Sequence, residues 1–107
     1  MTDTLTASNT VEPNVPALRK DLASALASLD TANDMERFLI DLCTPAELRA
    51  LSERWHVARL LDSTDASYRD INAQTGVSTT TIGRVARFLK DEPHQGYRIV
   101  LDRNKTA

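Results

Sequence analysis

The stretch that decides the fold runs from Ser67 to Lys90 and reads S-Y-R-D-I-N-A-Q-T-G-V-S-T-T-T-I-G-R-V-A-R-F-L-K. Gly76 divides it. Before the glycine, Ser67 with Asp70 three residues on is a capping pair for a short helix, Y-R-D-I-N-A-Q-T, which Gly76 ends by taking a left-handed conformation. After it, a second amphipathic helix runs to Lys90. Short helix, glycine turn and second helix together form the plan of a helix-turn-helix unit. The plan asks Ile71 to pack inward, Val77 to plug the corner, and Ile82 and Val85 to pack back from the second helix, and these residues suit the task. One position departs: four residues before the glycine, where a small apolar residue usually lets the helices cross, stands Asn72.

With Ile82, Val85, Ala86 and Leu89 facing inward, the opposite face presents Thr79, Thr80, Gly83, Arg84 and Arg87. The hydroxyl run Ser78, Thr79, Thr80, Thr81 stands at the N-terminal end of this helix, the end that a recognition helix pushes into the major groove. Hydroxyls there hydrogen-bond to bases or phosphates, a threonine methyl packs on a thymine methyl, and the helix N-terminus favours phosphate. Arg69, from the first helix, reaches toward a guanine edge or the backbone, and Lys90 toward phosphate. The expected DNA-binding set is therefore Arg69, Ser78, Thr79, Thr80, Thr81, Arg84, Arg87 and Lys90. The plainer alternative makes Ser78 or Thr79 a helix cap and the rest exposed threonines; the glycine turn and the local charge favour DNA.

That charge is visible only when it is placed along the chain. The total is -2, but residues 1–66 carry six basic side chains against eleven acidic ones, whereas residues 67–90 carry Arg69, Arg84, Arg87 and Lys90 against Asp70 alone. Attraction to phosphate depends on this asymmetry rather than on the sum.

The rest of the chain predicts an all-α protein of six or seven helices. Pro16 opens an apolar stripe of Leu18, Leu22, Ala25, Leu26 and Leu29; Asp30 to Asn33 supplies a turn; Met35, Phe38, Leu39, Leu42 and Cys43 form a second stripe. T-P-A-E at Thr44 to Glu47 is a helix start, with Thr44 as cap, Pro45 in the first turn and Glu47 bonding back. Leu48, Leu51, Trp55, Ala58 and Leu61 continue an inward face, with a kink expected near Leu51 and Ser52. No segment alternates as a half-buried strand does. Short amphipathic helices bury little alone, so a core shared between two chains is expected.

At 107 residues, with 41% hydrophobic and 26% charged, the chain suits one globular domain over residues 17–107, its core mostly aliphatic because aromatics make up only 5%. Residues 1–16, polar and without an apolar run or an early basic cluster, predict a mobile tail rather than a secretory signal or membrane anchor, and a cytoplasmic location. Cys43 is the only cysteine, which leaves no intramolecular disulfide and too few thiols for a zinc site, and its apolar surroundings predict a buried structural thiol. His56 and His94 do not form a metal pair. No cofactor or metal is expected. Ser, His and Asp occur without a nucleophile elbow, metal pair or phosphate loop, so an enzyme has the least support.

The combination T-P-A-E-L-R-A-L-S-E-R-W-H-V-A-R-L-L at Thr44 to Leu61 with S-Y-R-D-I-N-A-Q-T-G-V-S-T-T-T-I-G-R-V-A-R-F-L at Ser67 to Leu89 resembles the Trp repressor family, in particular its branch of YerC/YecD-type TrpR-related proteins. The resemblance runs from about Leu18 to Arg103. It implies an intertwined homodimer whose two recognition helices enter successive major grooves of a near-palindromic operator, and hence a transcriptional regulator, expected to be a repressor. In the true repressors the co-repressor indole lies between two arginines, matched here by Arg54 and Arg84. A glycine that makes room for the ring is Val85 here, and a serine that binds the ligand's amino group is Phe88. Both changes fill space, so Arg54, Arg84, Val85 and Phe88 are expected to form a vestigial pocket that does not bind tryptophan. The alternatives are a helical protein-interaction or adaptor module, or a regulator responding to a different small ligand.

Overall fold

The computed structural model describes residues 14–105 as six α-helices, and no strand occurs among them. Residues 1–13, most of the expected tail, lie outside the described residues. The chain divides into one unit ending at Leu42 and a second beginning at Cys43.

The first unit holds α1 (Val15–Ala27) and α2 (Ala32–Leu42). Asn14 caps α1 by accepting the Ala17 N–H at 3.2 Å, and Pro16 occupies the first turn, where a missing N–H leaves no hydrogen bond unmade. Thr31 Oγ1 accepts the Asp34 N–H at 3.1 Å, so α2 starts inside the segment expected to be a turn. Both apolar stripes form, yet neither helix contains a buried residue. Val15, Leu18 and Ile40 are each more than half exposed.

The second unit holds α3 (Pro45–Ser63), α4 (Tyr68–Thr75), α5 (Thr79–Lys90) and α6 (Gly96–Lys105). A reciprocal cap starts α3: the Thr44 hydroxyl accepts the Glu47 N–H at 3.1 Å while the Glu47 carboxylate accepts the Thr44 N–H at 2.8 Å. The helix then runs unbroken through Leu51 and Ser52, where the Ser52 hydroxyl donates to the Leu48 carbonyl at 2.8 Å. Its inward face differs from the expected one. Val57 and Ala58 are fully buried, Trp55, Leu60 and Leu61 pack partly against them, and Leu51 is 44% exposed. Cys43 is half-buried rather than enclosed.

The core joins Val57 and Ala58 of α3 to Ile71 of α4, Val77 of the turn, and Ile82 and Val85 of α5. Each of the valine and isoleucine side chains contributes about 1.5–3 kcal/mol relative to exposure. Helix α5 is the hub, packed on α3, α4 and α6. An ion-pair network fastens α6 to α3: Arg98 donates to Asp62 at 2.8 Å and to Asp102 at 3.2 Å, and the Lys105 ammonium stands 3.2 Å from Asp62. Hydrogen bonds from Arg98 and then Lys105 hold the Asp62 carboxyl below the usual carboxylate range.

Candidate nucleic-acid interface

The corner between α4 and α5 is built from local chemistry. Ser67 caps α4 by accepting the Asp70 N–H at 3.0 Å, and the Asp70 carboxylate in turn accepts the Ser67 N–H at 3.1 Å. Gly76 ends the helix with φ of +80°, and its N–H donates to the Asn72 carbonyl at 2.8 Å. A Cβ at Gly76 would touch nothing, so the glycine is there for its backbone conformation and not for space. Val77, 5% exposed, plugs the corner as the spacing predicts.

Asn72, the one residue that departs from the usual pattern, has a definite task. Its side-chain amide donates to the Val77 carbonyl at 2.8 Å, while Thr75 donates to the Ile71 carbonyl at 2.7 Å and accepts the Val77 N–H at 3.0 Å. Two polar side chains thus satisfy backbone groups that the glycine turn leaves unpaired, and the corner is tied by hydrogen bonds where a smaller residue would have relied on close packing.

The four hydroxyls at the start of α5 divide into pairs. Ser78 caps the helix by accepting the Thr81 N–H at 3.2 Å and donates to Thr81 Oγ1 at 3.1 Å. Ser78 and Thr81 are therefore engaged with each other. Thr79 and Thr80 are exposed, and among the described residues they make no side-chain hydrogen bond. Thr80, Arg84 and Arg87 then follow at offsets of four and seven, one stripe along the outer face of α5, all exposed. Lys90 is exposed at the end of the same helix, and Arg69 is exposed on α4. The inward face holds Ile82, Val85, Ala86 and Leu89, each at most 4% exposed.

Two features of this surface go beyond the residues expected from sequence. Tyr68, 42% exposed at the first position of α4, leans on the outer face of α5, with its Cε2 atom 3.8 Å from where a Cβ on Gly83 would lie. Its ring is thereby set one helical turn from Thr79 and Arg87. A Cβ at Gly83 would meet this ring at an ordinary van der Waals distance, so the approach of Tyr68 does not itself require the glycine. The second feature is electrostatic: the guanidinium carbon of Arg84 lies 4.3 Å from the centroid of the Phe88 ring and that of Arg87 lies 5.2 Å from it, while Arg87 Nε also pairs with Glu92 at 3.1 Å.

Of the residues of the expected vestigial pocket, Arg84 and Phe88 lie against each other. Val85 is a core residue at 1% exposure. Phe88 is half-buried and lines an apolar groove of about 440 Å³ together with Trp55, Tyr97 and Val100. Arg84 lies on the exposed surface and Arg54 is half-buried on α3. Among the described residues, no group of three or more His, Cys, Asp or Glu side chains is arranged to hold a metal ion, and no helix is long and apolar enough to cross a membrane.

Comparison with known proteins agrees with this geometry. Residues 19–105 match the family model described as Trp repressor protein. The uncharacterized protein YerC of Bacillus subtilis (strain 168) is 39% identical over 84 residues, which span 78% of this chain and 79% of that one. A crystal structure of a Trp repressor candidate from Staphylococcus aureus superposes with a TM-score of 0.75 at 33% identity, covering 85% of this chain and 89% of that one. A TrpR-like protein from Eubacterium eligens ATCC 27750 gives 0.72 at 37% identity, covering 80% and 87%. With a helix-turn-helix whose outer face is basic, and matched along nearly all its described length, the chain belongs to the Trp repressor family, a class of DNA-binding regulators.

Proposed function

We propose that the chain is a sequence-specific transcriptional regulator that binds a near-palindromic operator as a homodimer, represses by occupying it, and does so without tryptophan as co-repressor. The observation that carries this reading is the outer stripe of α5. Thr80, Arg84 and Arg87 share one exposed face, with Thr79 at its tip, on a helix whose other face is held by Ile82 and Val85 in the core. Threonine at the start of a recognition helix and arginine further along its outer face supply hydrogen bonds to base edges and the bidentate fork that reads guanine. Arg69 and Lys90 add charge that meets phosphate, and Ser78 and Thr81 serve the interface by fixing the helix end.

The homodimer is supported by the exposed apolar residues of α1 and α2, which a second copy would cover, and by membership of the family. Independence from tryptophan is supported by Val85, whose side chain belongs to the core, and by Phe88, whose ring already lies against Arg84. Calorimetry with free tryptophan should show no saturable heat in the micromolar range; saturable binding there would refute this part.

A mobility-shift titration tests the DNA reading. Arg84→Ala and Arg69→Ala should each abolish selective binding while the dimer persists. Thr80→Ala should alter base preference, and Lys90→Ala should weaken all sequences alike and reduce the salt slope by about one. Equal affinity of wild type and arginine variants for cognate and scrambled duplexes would contradict the proposal.

A further inference from the structure

We propose that Phe88 is a positioning residue for DNA binding: its ring is a fixed platform that holds the Arg84 and Arg87 guanidiniums on the outer face of α5, with their donor edges turned to the nucleic acid. The inference rests on the DNA-binding reading and adds to it the residue through which the two arginines act.

The observations are geometric. Arg84 and Arg87 are three residues apart on one helix, where like charges are neighbours and repel. Phe88 follows Arg87 directly and lies one helical turn beyond Arg84, with the two guanidinium carbons 4.3 and 5.2 Å from its ring centroid. Both distances fall within the range of about 6 Å over which a ring's negative face attracts a cation. The ring therefore offsets the repulsion and keeps both charges on the surface. It is itself held, being half-buried beside Trp55 and Tyr97 in the wall of the apolar groove.

The mode of contact matters. Arg84 forms no ion pair with a carboxylate among the described residues. A carboxylate would occupy the N–H donors that phosphate or guanine needs. A ring takes the planar guanidinium by its face and leaves the N–H edge free. Stacking also removes rotamer freedom from a long side chain before DNA arrives, so less is lost on binding. Arg87 is in a different position, because Glu92 also holds its Nε at 3.1 Å. Arg84 is thus the arginine that depends most on the ring.

The experiment uses the full chain and a duplex recovered by selection with the wild-type protein. Each exposed cation–ring contact corresponds to about two- to fivefold in affinity, so Phe88→Leu should weaken binding by about five- to twentyfold. Phe88→Tyr should restore it to within about twofold, because the ring face is kept. In an Arg84→Ala background, read on the residual duplex affinity that survives the loss of selectivity, the loss caused by Phe88→Leu should shrink to the part carried by Arg87. Independently of DNA, the side-chain NMR resonances of Arg84 should be displaced upfield by the ring in the free wild type and return to ordinary positions in Phe88→Leu. Wild-type affinity in Phe88→Leu, an equal loss in the Arg84→Ala background, or undisplaced Arg84 resonances would overturn the proposal. A wild type that binds no duplex while its Arg84 resonances are displaced would instead remove the DNA-binding reading, and the positioning role with it.

Discussion

Residues 15–42 and residues 43–105 are made of the same material, aliphatic side chains at helical spacing, and differ in what becomes of it. In the first unit the stripes form but are at most half-covered, with Leu18 57% exposed and no residue buried in either helix. In the second, α4 and α5 are shorter than α1, yet Ile71, Ile82, Val57 and Val85 are all fully buried. The difference lies in partners. Helix α5 meets three neighbours, and the turn at Gly76 brings two apolar faces together within a few residues of chain. An amphipathic helix is stable largely through what its apolar face touches, so the second unit carries its own stability and the first is suited to association.

The largest effect expected from this comparison is at the core. Ile82→Ala should cost about 2–5 kcal/mol of folding free energy, whatever the protein concentration. Leu18→Ala should behave otherwise: little change in the stability of the monomer, but dimer dissociation raised by about tenfold or more, at about 0.8 kcal/mol for each methylene-sized group lost from a buried contact. Equilibrium unfolding at several concentrations separates the two, and a concentration-independent loss from Leu18→Ala would break the comparison.

A smaller effect is expected at the corner. Gly76→Ala forces an ordinary side chain to a φ of +80° and should cost about 1–2 kcal/mol, with Gly76→Asn costing less, because asparagine tolerates this conformation. The smallest effect on folding should come from Gly83→Ala. The added Cβ would meet Tyr68 at an ordinary 3.8 Å, so the variant should gain up to about 1 kcal/mol of helix stability. If DNA approaches this face, the same variant should nonetheless bind its site less tightly; a variant both more stable and unimpaired would show that the glycine leaves room for nothing outside the chain.

What the sequence discloses and what it hides follow from the range of the interactions. Ile71, Gly76, Val77, Ile82 and Val85 could be assigned to the corner in advance because all lie within one short stretch whose geometry is set by one glycine and two helical periods. The caps at Thr44 and Ser67 were equally legible, since each closes over three residues. Val57 was missed and Leu51 misplaced, because α3 has apolar residues on more than one side and only its neighbours decide which are covered. The pairing of Ser78 with Thr81 was hidden by the repetition of hydroxyls, any of which could have capped. Phe88 was identified as a space-filling residue, but its two arginine partners depend on side-chain direction, which residue spacing alone does not supply.

We infer that the outer stripe of α5 reads DNA in two symmetric copies. Selection of bound sequences from a random duplex pool tests it most directly, because it reports affinity, base preference and symmetry together. The recovered site should have two-fold symmetry with half-sites about one helical turn of DNA apart, and should be lost when Arg84 is replaced by alanine. A pool that shows no enrichment, or enrichment of an asymmetric site that the Arg84→Ala variant recovers equally well, would contradict it.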